Sequence, residues 1–308
     1  MIERSQGDTC HVQFALFQRF SELVHGSFMR TGGCSPPPFD SLNVSVGAGD
    51  EVEHVLSNRL LALRSLGLDG YRCATAWMIH SADVLTLDGD EWEDWRDDWP
   101  HRSYLVDGQE LNWTMRPRQK ADAVITRRRG VTLAMSSADC APLLLFDPVQ
   151  QAIGLVHAGW RGTARGIAAI VVDAMREQFG CQPEQIFAGI GPSIGPCCYE
   201  VGNEVHRLFL GDTDFEVMPT RGAYRNLVRE SAVFTVQAVD DRGTGERQER
   251  LRLDLWETNR NQLLLAGLAP DHIEVAGICT SCEKARFFSY RGEHRKTGRF
   301  PTLLALRP

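Results

Sequence analysis

Between residues 121 and 165 the chain reads ADAVITRRRGVTLAMSSADCAPLLLFDPVQQAIGLVHAGWRGTAR, and this stretch limits the possible folds more than any other. Its apolar runs at 131–135, 143–146 and 153–156 are short and bounded by polar or turn residues. Runs of that kind read as buried strands. Cys140 follows the first run and His157 closes the third. A turn at 158–162 then leads to a helix expected to start at Thr163, with Ile167, Ile170, Val171, Ala174 and Met175 on one face and Gly180 as its stop. A helix start offers free backbone N–H groups and a partial positive charge. A thiolate, an imidazole and an anion-receptive helix end therefore converge here, and the active site is expected at this point.

The rest of the chain narrows the class. With 43% hydrophobic residues in 308, a substantial core is available to one large domain or two smaller ones. A net charge of −7 argues against general nucleic-acid binding, and the acidic clusters at 88–98 and 240–249 read as solvated loops. No apolar run reaches the length of a membrane span, and the first 25 residues lack a basic, then apolar, leader. A cytoplasmic protein is expected. Nine cysteines, an odd number in a chain this long, read as reduced thiols.

In chain order, residues 1–24 alternate loosely and predict an edge strand or two. Residues 25–50 are rich in Gly, Pro and Ser and predict irregular chain, yet they carry Arg30, Ser41 and Asn43, which a pure linker would not need. The plainer reading of these is a surface loop held by Asx and Ser turns. Asp50, with Glu53 three residues on, predicts a capping box for a helix that ends near Gly67. A strand at 73–79 is expected to end in His80. Residues 88–120 hold Trp92, Trp95, Trp99 and Trp113 among many acids and read as an insertion covering an edge of the core. A second insertion is expected at 212–250, a hairpin without function whose first strand is 233–239. A helix over 255–267 is capped by Asp254, and a last strand runs through 302–306.

Two units echo each other: PEQIFAGIGPSIGPCCYEV and APDHIEVAGICTSCEKARFFSYRG each run from a Pro-acid turn into a strand and then a cysteine pair. If the echo is structural, two equivalent strand ends bring Cys197 and Cys198 near Cys279 and Cys282. The four would suit a thiolate zinc site, but a single C-x-x-C is a weak signal, and buried free thiols are the commoner outcome. Gly189-Ile190-Gly191 has the wrong spacing to the next glycine for a dinucleotide loop.

His80, Cys140 and His157 offer a second metal set. Three protein ligands with one open position is the usual catalytic zinc arrangement, which lowers the pKa of a bound water. Asp139 stands beside the cysteine to orient a ligand or move a proton. The same residues also fit a nucleophilic Cys140 activated by His157. Spacing alone does not choose between these, nor bring His80 to the pair.

The strings SSADCAPLLLFDP, IGLVHAGWRGTARG, GIGPSIGPCCYEV and CTSCEKARFFSYR, with HGSFMRTGGCS and SLNVSVGAGD near the start, resemble the YfiH-like family, also called laccase-domain or multicopper polyphenol oxidase proteins. The likeness covers nearly the whole chain. It implies an α/β fold, a single domain over 1–308 with mixed β-sheets packed between helices, and a zinc site at His80, Cys140 and His157. It implies phosphorolysis of adenosine, inosine, guanosine and methylthioadenosine, with deamination of adenosine. The partners would be a purine nucleoside and phosphate, with no nucleic acid or membrane, in a monomer or small homo-oligomer. Arg161 and the helix start at 162–163 are the phosphate candidates, with Arg30, Asn43, Arg291 and Arg299 behind them. This chain departs from the family pattern in Met78-Ile79-His80-Ser81, where Gln-Val-His-Gly is usual, and in a longer segment between His80 and Cys140.

Two other activities attach to the family. One is a cytosolic peptidoglycan-editing hydrolase that removes a wrong amino acid from a muramyl precursor. The other is copper polyphenol oxidation, which ranks last because nine scattered histidines without a His-x-His pair do not suit several coppers. A vestigial site on a binding scaffold is the non-enzymatic option, and nothing in the residues requires it.

Overall fold

The three apolar runs become strands, but not of one sheet. In the computed structural model, residues 1–88, 104–106, 108–111, 113, 119–240 and 247–308 are described. Its strands and helices, in chain order, are β1 (Ile2–Gln6), β2 (Thr9–Gln13), β3 (Leu23–Phe28), α1 (Val52–Ser65), β4 (Arg72–Ala74), β5 (Val84–Thr86), β6 (Tyr104–Val106), β7 (Gln109–Leu111), β8 (Ala123–Thr126), β9 (Val131–Ser137), β10 (Ala141–Asp147), β11 (Ala152–Ala158), α2 (Trp160–Thr163), α3 (Ile167–Phe179), β12 (Phe187–Ile190), α4 (Asn203–Leu210), α5 (Arg225–Ser231), β13 (Phe234–Asp240), β14 (Arg247–Leu253), α6 (Leu255–Leu265), β15 (Ile273–Val275) and β16 (Phe300–Leu306). One six-stranded sheet has the order β1-β2-β3-β16-β9-β4, and the other the order β15-β12-β10-β11-β8-β5. The first run is thus in one sheet and the other two in its partner, so the link through Ala138, Asp139 and Cys140 crosses between them.

Alternation along the strands explains the layers. Leu144 and Phe146 of β10 meet Leu133, Met135, Leu304 and Leu306 of the first sheet in one core. Leu143 and Leu145, one step out of phase, pack with Ile167, Ile170, Val171 and Met175 of α3 and Leu263 of α6. A strand buried on both faces has no polar side to show, which is why it reads as a continuous apolar run. On the far side of the first sheet, Leu56, Leu60 and Leu63 of α1 cover Val24, Phe28, Ala134 and Leu303. The order is helix, sheet, sheet, helices: a mixed α/β sandwich, as the family resemblance implies.

Several local expectations need correction. Residues 25–28 are not irregular: they complete β3, buried along its length and paired with β16. Asp50 does not form the capping box. Its carboxylate accepts from Ser35 Oγ at 2.6 Å and Asn43 Nδ2 at 2.9 Å, and Glu51 takes the cap position of α1 without a side-chain bond. The strand expected over 73–79 stops at Ala74. The helix expected from Thr163 is broken: α2 is one turn, Gly166 turns left-handed at φ 81°, and α3 then runs to Gly180. Asp254 does cap α6, accepting from Glu257 N–H at 3.0 Å.

Of the 88–120 segment, Trp92, Trp95 and Trp99 lie outside the described residues, while Trp113 is buried in the α1 core and bridges to Cys73. The hairpin expected within 212–250 forms as β13 and β14. Residues 241–246, where its turn is expected, lie outside the described set.

Candidate active site

His80, Cys140 and His157 come together, with one donor atom from each lying within 4.8 Å of the others. Their organiser is a residue that the sequence did not single out, Asp122. It immediately precedes β8 and is fully buried at 0% exposure. Its carboxylate accepts from the backbone N–H groups of Ile79 (3.1 Å), His80 (3.0 Å) and Ser81 (2.6 Å), and from Ser81 Oγ (3.0 Å). Those N–H groups are therefore spent on a carboxylate and not on a strand ladder. His80 is held at φ 59°, a left-handed conformation that non-glycine residues seldom adopt.

Asp122 Oδ1, which also serves His80 N–H, and the Asp122 carbonyl do a second task. Oδ1 lies 2.9 Å from His157 Nδ1, and the Asp122 carbonyl accepts from His157 N–H at 2.7 Å. A carboxylate only accepts, so Nδ1 carries the ring proton and Nε2 is left for the cluster. Burial alone would raise the Asp122 carboxyl, but His157 and the N–H groups of Ser81 and Ile79 outweigh it and hold it below the usual range. Burial likewise opposes charge on His157, yet its contacts with Cys140 and Asp122 prevail and push it up to about 10. His80 is pulled down to about 4 by burial and by His157. One imidazole is thus a neutral donor, and the other sits where anionic neighbours favour a cation.

The backbone makes room for the cluster. A Cβ on Gly159 would meet Cys140 Sγ at 2.8 Å and His80 Nδ1 at 3.3 Å, so glycine at the N-terminal end of α2 lets the donors approach without displacement.

The other expected residues divide. Arg161 is exposed at the rim, with its guanidinium over the Trp160 ring at 4.3 Å. The helix start proposed beside it does not lie at 162–163, because Thr163 N–H is already bonded to the Gly159 carbonyl at 2.9 Å. Arg291 bonds the Glu200 carbonyl at 2.9 Å and lies over Tyr199 at 5.4 Å. Asp139 sits next to Cys140, but its carboxylate accepts from Thr280 Oγ1 (2.7 Å), Ser289 Oγ (2.7 Å) and Arg291 N–H (2.6 Å). It organises the 280–291 loop rather than facing the cluster with a free oxygen. Arg30 is spent on Asp40, the Lys284 carbonyl and Glu293, and lies over Phe288. It lines a separate cleft of about 470 Å³ with Asp40, Ser41, Lys284 and Glu293. Asn43 is wholly buried, bonded to Ser45, Asp50 and Arg299 N–H. Arg299 donates to the carbonyls of Thr297 and Gly298. These three hold loops in shape.

Two further features escaped the sequence reading. Buried Arg165 donates to the carbonyls of His80 (2.8 Å), Arg161 (3.0 Å) and Met218 (2.7 Å), with its guanidinium 3.6 Å over Phe215. Residues 214–220 therefore reach the rim of the cluster, and with α5 the 212–250 segment is more than the hairpin expected. An arginine that serves carbonyls leaves no motif. The acid in Ala121-Asp122-Ala123, polar between small residues at the head of a buried strand, was the available signal for Asp122.

The family described as "Multi-copper polyphenol oxidoreductase laccase" matches residues 24–307. The chain belongs to this family. Laccase is not the activity that its relatives carry in their names. "Purine nucleoside phosphorylase YlmD" of Geobacillus stearothermophilus is 34% identical over 288 residues, covering 94% of this chain and 92% of the relative. "Purine nucleoside phosphorylase" of Bacteroides thetaiotaomicron is 31% identical, with 91% and 90% covered. Among solved structures, "hypothetical protein YfiH" of Bacillus licheniformis superposes with a TM-score of 0.75 at 30% identity, covering 99% of each chain. The YfiH resemblance read from the motifs therefore holds. No helix among the described residues is long and apolar enough to cross a membrane.

Proposed function

We propose that the chain is a zinc-dependent purine nucleoside phosphorylase that cleaves adenosine, inosine, guanosine and methylthioadenosine with phosphate, and that the same site deaminates adenosine. The observation that carries this reading is the convergence of His80, Cys140 and His157 donor atoms within 4.8 Å. The names of the relatives in the family support the nucleoside chemistry.

The residues fit the metal. Two imidazoles and a thiolate are a common zinc donor set that leaves a position open, Asp122 fixes the tautomer that a His157 ligand needs, and the absent side chain of Gly159 leaves the donors room. Zinc bound there supplies a Lewis acid that draws electron density from a heteroatom of the reactant. The protein residues do the rest. Asp122 and Arg165 hold the His80 turn from its N–H and carbonyl sides. Arg161 offers an exposed cation at the rim, and Arg291 a second one positioned by Glu200. In phosphorolysis a phosphate oxygen bonds to C1′ of the ribose as the C1′–N9 bond breaks, the electron pair leaving with the purine. Cations at the rim offset the charge of the incoming phosphate. In deamination, water adds at C6 of adenine and ammonia leaves.

A second reading has its own support. Cys140, His157 and Asp122 form a thiol, imidazole and orienting carboxylate row, which suits attack on an amide and hence the peptidoglycan-editing hydrolase. Copper polyphenol oxidation stays last, because among the described residues only one potential metal group contains histidine.

Product analysis with adenosine, with and without phosphate, tests the assignment. Adenine plus ribose 1-phosphate marks phosphorolysis, and inosine marks deamination. Release of serine from a muramyl-serine precursor with no nucleoside turned over would replace the proposal with the second reading. Near-stoichiometric copper with little zinc, in protein purified without added copper, would overturn the metal assignment.

A further inference from the structure

We propose that Cys197, Cys198, Cys279 and Cys282 bind one zinc ion as a closed four-thiolate site, which staples together the two loops that hold Asp139 in place. The inference does not depend on the activity proposed above, since none of these sulfurs belongs to the His80 cluster.

The geometry is that of a gathered set. The four sulfurs all lie within 4.8 Å of one another, with Cys197–Cys282 at 3.5 Å and Cys198–Cys282 at 3.4 Å. Zinc–sulfur bonds of about 2.3 Å in a tetrahedron put the sulfur atoms about 3.8 Å apart. The fold brings the sulfurs here from two parallel neighbours. β12 and β15 pair side by side, and the chain leaves both at the same end of the sheet. After β12 a turn at Gly195 receives the N–H groups of Cys198 and Tyr199, each at 3.0 Å. After β15 a turn at Cys279 receives the N–H of Glu283 at 2.9 Å and so presents Cys279 and Cys282 together.

Packing of free thiols does not account for the cluster. Free cysteine behaves as a small hydrophobe and is usually buried. Cys279 is buried, but Cys197 and Cys282 are exposed, contrary to the sequence expectation of buried thiols. The polypeptide already serves one of the sulfurs and fixes the turn that carries another. Gly195 N–H donates to Cys279 Sγ at 3.3 Å, and Arg252 donates to the Cys197 carbonyl. A disulfide would satisfy two of the four sulfurs, whereas one zinc ion satisfies all of them.

The staple would lie one residue from the Asp139 network. Thr280 follows Cys279 directly; its N–H bonds the Ser193 carbonyl at 3.1 Å, and its hydroxyl bonds Asp139 at 2.7 Å. Ile194 N–H closes the other side on the Asp139 carbonyl at 2.9 Å. Both loops that carry the cysteines therefore grip the residue next to Cys140.

The experiment counts zinc in protein whose first site is disabled. Cys140→Ser protein, loaded with Zn2+ and desalted, is expected to keep about one zinc per chain, and Cys140→Ser/Cys282→Ser about none. Cobalt loaded into the Cys140→Ser protein is expected to give the strong sulfur-to-metal charge-transfer absorption of a thiolate site, a readout that needs no second variant to fold. A Cys140→Ser protein without zinc, unchanged zinc on adding Cys282→Ser, absence of the cobalt band, or a disulfide among these cysteines in the freshly isolated protein would each overturn the proposal.

Discussion

The two donor clusters of this molecule differ in what surrounds them. The His80, Cys140 and His157 group mixes nitrogen with sulfur, rests on a fully buried carboxylate and opens toward a rim of arginine and aromatic side chains. The Cys197, Cys198, Cys279 and Cys282 group is all sulfur, with Cys197 and Cys282 exposed at the surface. Three donors leave a position for a reactant, while four fill a tetrahedron. On the two proposals above, the difference separates chemistry from support, and it can be attacked from either side.

The largest effect is expected at the first cluster. Cys140→Ala should remove bound metal and lower turnover by at least about a thousandfold, with circular dichroism unchanged. The matching change at the second cluster, Cys282→Ser, should leave turnover within a few-fold while lowering the melting temperature. Full activity in Cys140→Ala would erase the distinction between the clusters. Next comes Asp122→Asn, which keeps the shape but loses the charge that His157 and three backbone N–H groups share. Metal affinity should fall about 10- to 100-fold, and denaturant melts should show a loss of about 3 kcal/mol. An unchanged melt would show that Asp122 is dispensable to the fold.

A pH series probes the scaffold beneath both clusters. Buried His25 accepts the Phe14 N–H at Nε2, and its pKa is pulled down to about 3, chiefly by burial. The unfolded chain therefore takes up a proton that the folded one refuses. Stability from this residue is full above the unfolded value of about 6.5 and declines by about 1.4 kcal/mol per pH unit below it. Denaturant midpoints between neutral pH and pH about 4.5 measure this, and His25→Gln should make the slope shallower by that amount, leaving the share of His11 and His80. The smallest effect is expected from Gly159→Ala, where the added methyl would press on Cys140 Sγ. A few-fold loss of metal affinity, read by competition with a chelator, is the expected outcome.

What the sequence made legible follows from what each residue type advertises. Leu143 to Phe146 announce a strand because both faces are buried, and Asp254 announces the start of α6 because its cap is local. His80, Cys140 and His157 stood out by type and by family motif, but nothing local brought His80 to the others. That depends on Asp122, a contact across the fold. Asp50 misled for a similar reason: its pattern promised a cap, and Ser35 and Asn43 claimed the carboxylate instead. The break at Gly166 was hidden because the apolar spacing continues into α3. Arg30, Asn43 and Arg299 looked available for a ligand because sequence shows charge but not the carbonyls and carboxylates that occupy it.

The bond from Ser81 to Asp122 joins positions 41 residues apart at a length of 2.6 Å, and Trp77 and Lys120 bridge just outside it. The His80 turn is thus tied to the head of β8 by a buried clamp. A change in the length of chain between β5 and β8 reaches His80 only by pulling that clamp apart. The position of this donor is set by Asp122, not by the residues that connect the two.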